Sequence, residues 1–435
     1  MHRSSGAAAL LFLLAALLFL SGCYSSNIDQ YFSPPQPSRE FQQLQSLIDQ
    51  EISAGCGYSA PTRGSYRQSV QLIDLNDDGY NEALAFLRDE DSHLKIVIYE
   101  AGRGEYHQVL SLSEKGRSIG RVAFLDMDND GRRDLVVTWQ ISSGLSILSV
   151  YSLLNWSGDL LMSTDCTEFA SGDLDQNGQQ ELLVIRAANS ETYLADMYSL
   201  SESREPQAST SALSSGIAEL LRTAVVTIAG GQPALLVESS TTGGDVVTDL
   251  LVYREGALVN LTLNRSTAVS EVRRSFNQIF SQDIDGDGNT EVPYPQQLYN
   301  QGGGTQWSVA WYRYDVSGRA SLVTTTYHCV ADGWYFVLPG GWDVGLTVRR
   351  DDSIPGEHAV ILSRLEEDGT ITDRLTVYAI TGENRTERTK LPGRFLLEES
   401  SSTVFAAEIL SDSIDRSEVE NRFHIIYTEW SNGSV

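Results

Sequence analysis

A nine-residue pattern, Asp-x-[Asp/Asn]-x-[Asp/Asn]-Gly-x-x-[Asp/Glu], occurs four times in this chain and limits what it can fold into more than any other feature. The copies are DLNDDGYNE at 74–82, DMDNDGRRD at 126–134, DLDQNGQQE at 173–181 and DIDGDGNTE at 283–291. Each copy separates two apolar runs. Oxygen-bearing side chains at alternate positions of a tight turn can converge on one point, and glycine permits the sharp reversal. Such a set of hard donors suits Ca²⁺, which takes roughly six to eight oxygens at about 2.3–2.6 Å.

The pattern names its ligands. In the first copy they are the side chains of Asp74, Asn76, Asp78 and Glu82 with the carbonyl of Tyr80. In the second they are Asp126, Asp128, Asp130 and Asp134 with the carbonyl of Arg132. The third offers Asp173, Asp175, Asn177 and Glu181 with the carbonyl of Gln179. The fourth offers Asp283, Asp285, Asp287 and Glu291 with the carbonyl of Asn289. Gly79, Gly131, Gly178 and Gly288 make the turns.

An EF-hand needs a glutamate at position 12 and a helix on each side. Position 12 here is Ala85, Val137, Val184 and Tyr294, and the flanks (SVQLI and ALAFL, VAFL and LVVTW) have strand composition. Each motif therefore joins two strands. One such loop alone reads as well as an acidic β-turn, since Asp, Asn and Gly are ordinary turn residues. Four copies with oxygens at positions 1, 3, 5 and 9 favour up to four Ca²⁺ ions, in a structural rather than a signalling or catalytic role.

This arrangement resembles the calcium loops of FG-GAP/VCBS-type repeats, found in integrin-like β-propellers and many bacterial surface proteins. The resemblance covers roughly residues 65–330. It implies four-stranded blades around an axis and, in many relatives, a binding or adhesion role, without one shared activity. The fold expected is all-β, a β-propeller-like array of about five to seven four-stranded blades with Asp-rich loops, plus a small C-terminal α+β domain.

The spacing supports an array. Motif starts lie 52, 47 and 110 residues apart, and the last gap holds a degenerate unit, VVTIAGGQPALLVES at 225–239, which has strand–turn–strand character but no acidic ligand. Units start near 69, 121, 168, 223 and 278, a period near 50. Later strands recur as LKIVIYE, SILSVYSLL, TYLADMYSL, TDLLVYREG and WSVAWYRYD, usually with a tyrosine. Five units permit a closed propeller, with further blades drawn from the flanks; an open, curved array competes. Closure would remove exposed sheet edges.

The N-terminus reads as a secretion signal over 1–22, with Arg3 before an apolar run at 7–20 that is short for a membrane span. Leu20-Ser21-Gly22-Cys23 resembles the bacterial lipobox, which implies a diacylated Cys23 as the first mature residue; an ordinary cleaved signal is the alternative. Two acyl chains anchor stably where one does not. Residues 23–38 then form a polar, proline-bearing tether, and 39–68 hold a helix and lead-in. Phe41, Leu44, Leu47, Ile48 and Ile52 fall at helical spacing, which suits packing on the first sheet, or alternatively a partner. The repeat domain occupies 69–330 and an α+β domain 331–435, with a helix at 412–423 capped by Ser413 or Asp415 and a closing strand FHIIYTEW; degenerate final blades are the alternative for this stretch. Cys56, Cys166 and Cys329 match no zinc spacing and read as small buried hydrophobes, with a Cys56–Cys166 bridge as an open alternative that no spacing supports.

Charge and motifs narrow the function. The net charge of −27 argues against nucleic-acid binding. The fourteen carboxylates among the loop side chains account for part of it. Gly116-Arg117-Ser118-Ile119-Gly120 matches the nucleophile elbow in letters, but it leads into a calcium loop instead of opening a helix. Gly302-Gly303-Gly304 lacks the ending of a P-loop and reads as a flexible hairpin, and the six histidines are scattered. The aromatic cluster Trp307, Trp311, Tyr312, Tyr314, Trp334, Tyr335 and Trp342 reads as core before it reads as a sugar platform. The sequence thus points to a non-enzymatic binding or adhesion protein of the bacterial cell envelope, held to the membrane through Cys23 and recognising a protein or glycan. The alternatives are an envelope polysaccharide-active enzyme with its site in a propeller pocket, and an accessory subunit of an envelope complex. Oligomeric state is not legible.

Overall fold

The computed structural model describes residues 38–102, 104–189, 191–200, 204–275, 279–298 and 306–426. The secretion signal, Cys23, nearly all of the tether and the glycine run at 302–304 lie outside them.

Among the described residues, six antiparallel sheets of four or five strands follow one another along the chain, with a two-stranded ribbon, Leu263–Asn264 and Val269–Ser270, after the fourth. The first contains Val70–Ile73, Glu82–Arg88, His93–Gly102 and Glu105–Lys115, with Gly57–Tyr58 added at its edge. The second runs Ser118–Leu125, Asp134–Ser142, Leu145–Tyr151 and Leu160–Asp165, and the third Glu168–Gly172, Glu181–Ala187, Tyr193–Leu200 and Pro206–Ala212. The fourth is the degenerate unit: Ile217–Ile228 and Gln232–Thr241 are joined through Gly230 and Gly231, with φ of 81° and 71°, and Val246–Arg254 and Ala257–Asn260 follow. The fifth contains Glu291–Gln297, Trp307–Tyr314, Ala320–Cys329 and Trp334–Val337, and the sixth runs over Leu346–Asp351, Glu357–Leu365, Ile371–Thr381, Thr403–Ile409 and Arg394–Glu399. Ser118 opens a strand, as expected of a segment that is not a nucleophile elbow.

The sheets stack face to face, and the apolar runs beside the motifs show why. In the strand Glu82–Arg88, Leu84 and Phe86 pack on Ile119, Val137 and Trp139 of the second sheet. Ala83, Ala85 and Leu87 point the other way. Val136 then packs with Phe169 and Val184 of the third sheet, and Leu183 and Ile185 with Leu235 and Leu251 of the fourth. Leu236 and Leu250 meet Val292 and Tyr314, and Trp334 and Phe336 meet Val360 and Val377. A middle strand buried on both faces needs apolar residues at successive positions, so these runs are continuous instead of alternating.

The outer face of the first sheet is covered by helix α1 (Arg39–Ser53), capped by Ser38 and buried through Leu44 and Ile48. Leu47 and Ile52 are partly buried there, whereas Phe41 is 42% exposed, so the apolar stripe read from the sequence is not wholly covered at its first turn. Gln43 holds the helix to the first sheet by exchanging two hydrogen bonds with the backbone of Tyr106, at 3.0 and 2.8 Å. Among the described residues, no core cluster joins the sixth sheet to the first.

The C-terminal stretch is antiparallel sheet with two short helices, the second of which (Arg416–Arg422) is capped by Asp415. Two of its strands belong to the fifth sheet: Trp334–Val337 pairs with Ala320–Cys329, and Phe423–Ile425 pairs with Trp334–Val337. The boundary expected at 330/331 therefore lies between hydrogen-bonded strands. Trp311, Trp334 and Trp342 are core, and Cys56, Cys166 and Cys329 are unbridged, with Cys56 half-buried and the other two buried.

Candidate metal centre

The first three motifs are hairpin loops between the first two strands of their sheets, and the fourth, closed by a single bridge, leads into the first strand of the fifth sheet. The residue before the first Asp pairs with the ninth: Ile73 with Glu82, Leu125 with Asp134, Gly172 with Glu181, and Gln282 with Glu291. The backbone inside is shaped by the side chains expected as ligands. Asp74 accepts the N–H groups of Asp78 and Gly79 at 3.2 and 2.9 Å. Asp126, Asp173 and Asp283 do the same with Asp130 and Gly131, Asn177 and Gly178, and Asp287 and Gly288. The fifth residue accepts the N–H of the seventh: Asp78 from Tyr80, Asp130 from Arg132, Asn177 from Gln179 and Asp287 from Asn289, at 2.7–2.9 Å. The sixth-position glycines have φ of 83–89° with open space where a Cβ would stand, so conformation and not room selects glycine.

The ninth residue is buried in every copy: Glu82, Asp134, Glu181 and Glu291 are 0–1% exposed. One of its oxygens accepts the N–H of the second residue, Leu75, Met127, Leu174 or Ile284, at 2.7–3.1 Å. These second residues are buried apolar anchors. The sequence reading left that position open, although Leu, Met, Leu and Ile occupy it in the four copies. The anchor sinks into the core and its peptide aims the acid inward.

Positions 1, 3 and 9 converge. Asp126, Asp128 and Asp134 offer oxygens within 4.8 Å of one another, as do Asp173, Asp175 and Glu181, and Asp283, Asp285 and Glu291. In the first loop the third residue is Asn76, whose Oδ1 accepts the Asp78 N–H at 3.0 Å. There Glu82 Oε1 is buried and accepts no hydrogen bond. A buried carboxylate oxygen without a donor is costly, and a cation held by Asp74, Asn76, Asp78 and Glu82 would satisfy it.

Electrostatics agree with that fit. Burial raises Glu82, Asp134 and Glu181 to about 7, opposed by their N–H bonds and reinforced by the loop's other carboxylates. Burial also raises Asp128 and Glu291; at Glu291 the Ile284 N–H and Arg313 oppose it. The loops are charged clusters short of positive charge, and their donors are the hard oxygens that Ca²⁺ prefers over softer metals' ligands.

Neighbouring chain reaches each loop. Arg133 lies 3.8 Å from Asp77, Gln232 bonds Gln176 at 2.9 Å, and Arg204 reaches Asp128 and Asp130 at 2.8 and 3.0 Å. Arg313 reaches Asp285, Asp287 and Glu291 at 3.0, 2.7 and 2.7 Å. The motif gives no hint of either Arg204 or Arg313, because both lie outside it.

No curated protein matches the chain. Two similar solved structures are a protein from Lactobacillus plantarum and a putative 6-phosphogluconolactonase from Bacteroides fragilis. The first is 10% identical, with 73% of this chain and 86% of that chain covered at a TM-score of 0.28. The second is 13% identical, with 69% and 82% covered at a TM-score of 0.24. Residues 74–137, which hold the first two acidic loops and the strands between them, match the model of the FG-GAP-like repeat, and this chain carries that repeat.

Proposed function

We propose that this protein is a calcium-stabilised, lipid-anchored binding or adhesion protein of the bacterial cell envelope, which recognises a protein or glycan partner without catalysing a reaction. One observation carries the calcium reading: the buried, unpartnered Glu82 Oε1 faces a loop whose other oxygens are already ordered. Asp74, Asn76, Asp78, Glu82 and the Tyr80 carbonyl would hold the first ion, and the corresponding residues would hold the other three. Each ion would hold a loop against the strand that follows it and so stiffen the stack of sheets. The FG-GAP-like repeat at 74–137 agrees with an extracytoplasmic setting, and no helix among the described residues is long and apolar enough to cross a membrane.

Calorimetric titration of chelator-stripped protein with Ca²⁺ tests the ion sites. Heat of binding is expected together with a rise in melting temperature, and the absence of both overturns the reading. Weak sites would still fit, since extracellular modules bind Ca²⁺ at about 10⁻⁴–10⁻³ M. Capture from envelope extract with and without Ca²⁺ tests recognition, with calcium-dependent retention of a specific partner expected.

A further inference from the structure

The four loops share one backbone but differ in what stands over their carboxylates. In the fourth, Arg313 rises from the strand Trp307–Tyr314 directly opposite Glu291. Its Nε lies 2.7 Å from Glu291 Oε1, Nη1 2.7 Å from Asp287, and Nη2 3.0 Å from Asp285. One guanidinium thus engages the third, fifth and ninth positions together. In the second loop, Arg204 comes from the next sheet's connection and engages the third and fifth positions, Asp128 and Asp130. The third loop meets neutral Gln232, through Gln176. The first meets Arg133 only at Asp77, the fourth position, which carries no expected ligand.

We propose that Arg313 and Arg204 are built-in counter-cations that take the electrostatic place of Ca²⁺ in the fourth and second loops, so that these two sites bind the ion more weakly than the open first and third. The inference rests on the calcium reading above. Arginine stays charged at all relevant pH, and its fork of donors matches paired carboxylate oxygens. The guanidinium and Ca²⁺ repel each other and compete for lone pairs of the same carboxylates, so each cation weakens the other's hold on the loop, and the two oppose each other through one linkage. As Ca²⁺ rises, the first and third loops fill before the second and fourth, whose charge one arginine each partly offsets until the ion enters.

Calorimetric titration and thermal melts of the full chain, stripped with chelator, decide the matter. The wild type is expected to show two affinity classes. Arg313→Gln should tighten one weak site by about tenfold, lower the melting temperature in chelator and enlarge the rise on adding Ca²⁺. Arg204→Gln should do the same for the second loop, and Arg133→Gln should leave the titration unchanged. A variant that folds only with Ca²⁺ present shows the enlarged dependence in its extreme form and supports the proposal. If Arg313→Gln and Arg204→Gln leave the affinities and the calcium-induced rise unchanged, or weaken binding, the counter-cation role is overturned while the calcium sites stand. If neither wild type nor variants bind Ca²⁺, the calcium reading itself falls.

Discussion

Leu75 donates its backbone N–H to Glu82 Oε2 at 2.9 Å, while Glu82 Oε1, also buried, accepts no hydrogen bond. The same tie between second and ninth residues recurs in the other three loops. It joins core packing to ion chemistry: the apolar residue fixes the peptide, and the peptide aims the acid.

Burial holds Glu82 at about 7, above its ordinary 4.5. The folded protein therefore keeps this proton more tightly than the unfolded chain. Without metal, the associated stability is full below about pH 4.5 and is lost as pH rises through about 7. Glu82→Gln should flatten that decline and, in chelator near pH 8, stabilise by about 1 kcal/mol. With Ca²⁺ the same variant should be less stable than wild type. Urea unfolding with and without chelator checks both signs, and an identical calcium-induced gain in the two proteins would sink the prediction.

His328 gives the opposite pH signature. It lies between Trp311 and Tyr335, ring centroids 5.9 and 5.0 Å away, and both its ring nitrogens are buried without partners. Burial lowers it to about 3 from 6.5. The unfolded chain protonates this histidine first, so stability is full above about pH 6.5 and is lost as pH falls towards about 3. His328→Phe should remove that acid-side loss and gain about 1 kcal/mol at pH 7 by deleting unsatisfied nitrogens. Melting temperatures of both proteins from about pH 4 to 8 test this; parallel curves would refute it.

The fourth unit lacks an acidic loop, yet it contains a buried ionic network. Glu238 Oε1 accepts Arg274 at 2.6 Å and both the N–H and Oγ of Ser281, at 3.0 and 2.8 Å, while Arg222 lies 3.6 Å from Oε2 and donates to the Ser281 carbonyl. Glu238→Ala would leave two buried guanidinium groups without this carboxylate and should cost about 3–5 kcal/mol. A loss under about 1 kcal/mol in urea would show that the network relaxes into water.

Cys23→Ser should release the protein from membranes to the soluble fraction, because it removes the proposed acylation site. Fractionation with a detergent control reads this directly, and persistent membrane association would overturn the lipid anchor.

Much was legible because its cause is local. Gly79 and its counterparts mark where the backbone must reverse, the acids mark the loop, and ALAFL or LVVTW marks a strand buried on both faces. The glycine turn of the degenerate unit was visible for the same reason, and so was α1 from its apolar spacing. The second-position anchors are present in the letters, but a single apolar residue inside a polar loop carries no periodicity that marks it as core.

The sequence by itself determined where the chain turns, which oxygens each turn carries and which strands lie between sheets, since these follow from backbone freedom, donor chemistry and residue-by-residue hydropathy. Only the tertiary structure decided that Arg204 and Arg313 stand over two of the four loops, that Glu238 is buried among arginines, and that the strand Phe423–Ile425 joins the fifth sheet. Those relations bring together residues distant in sequence, or on facing strands, and their register and packing are set by cores that no local pattern encodes.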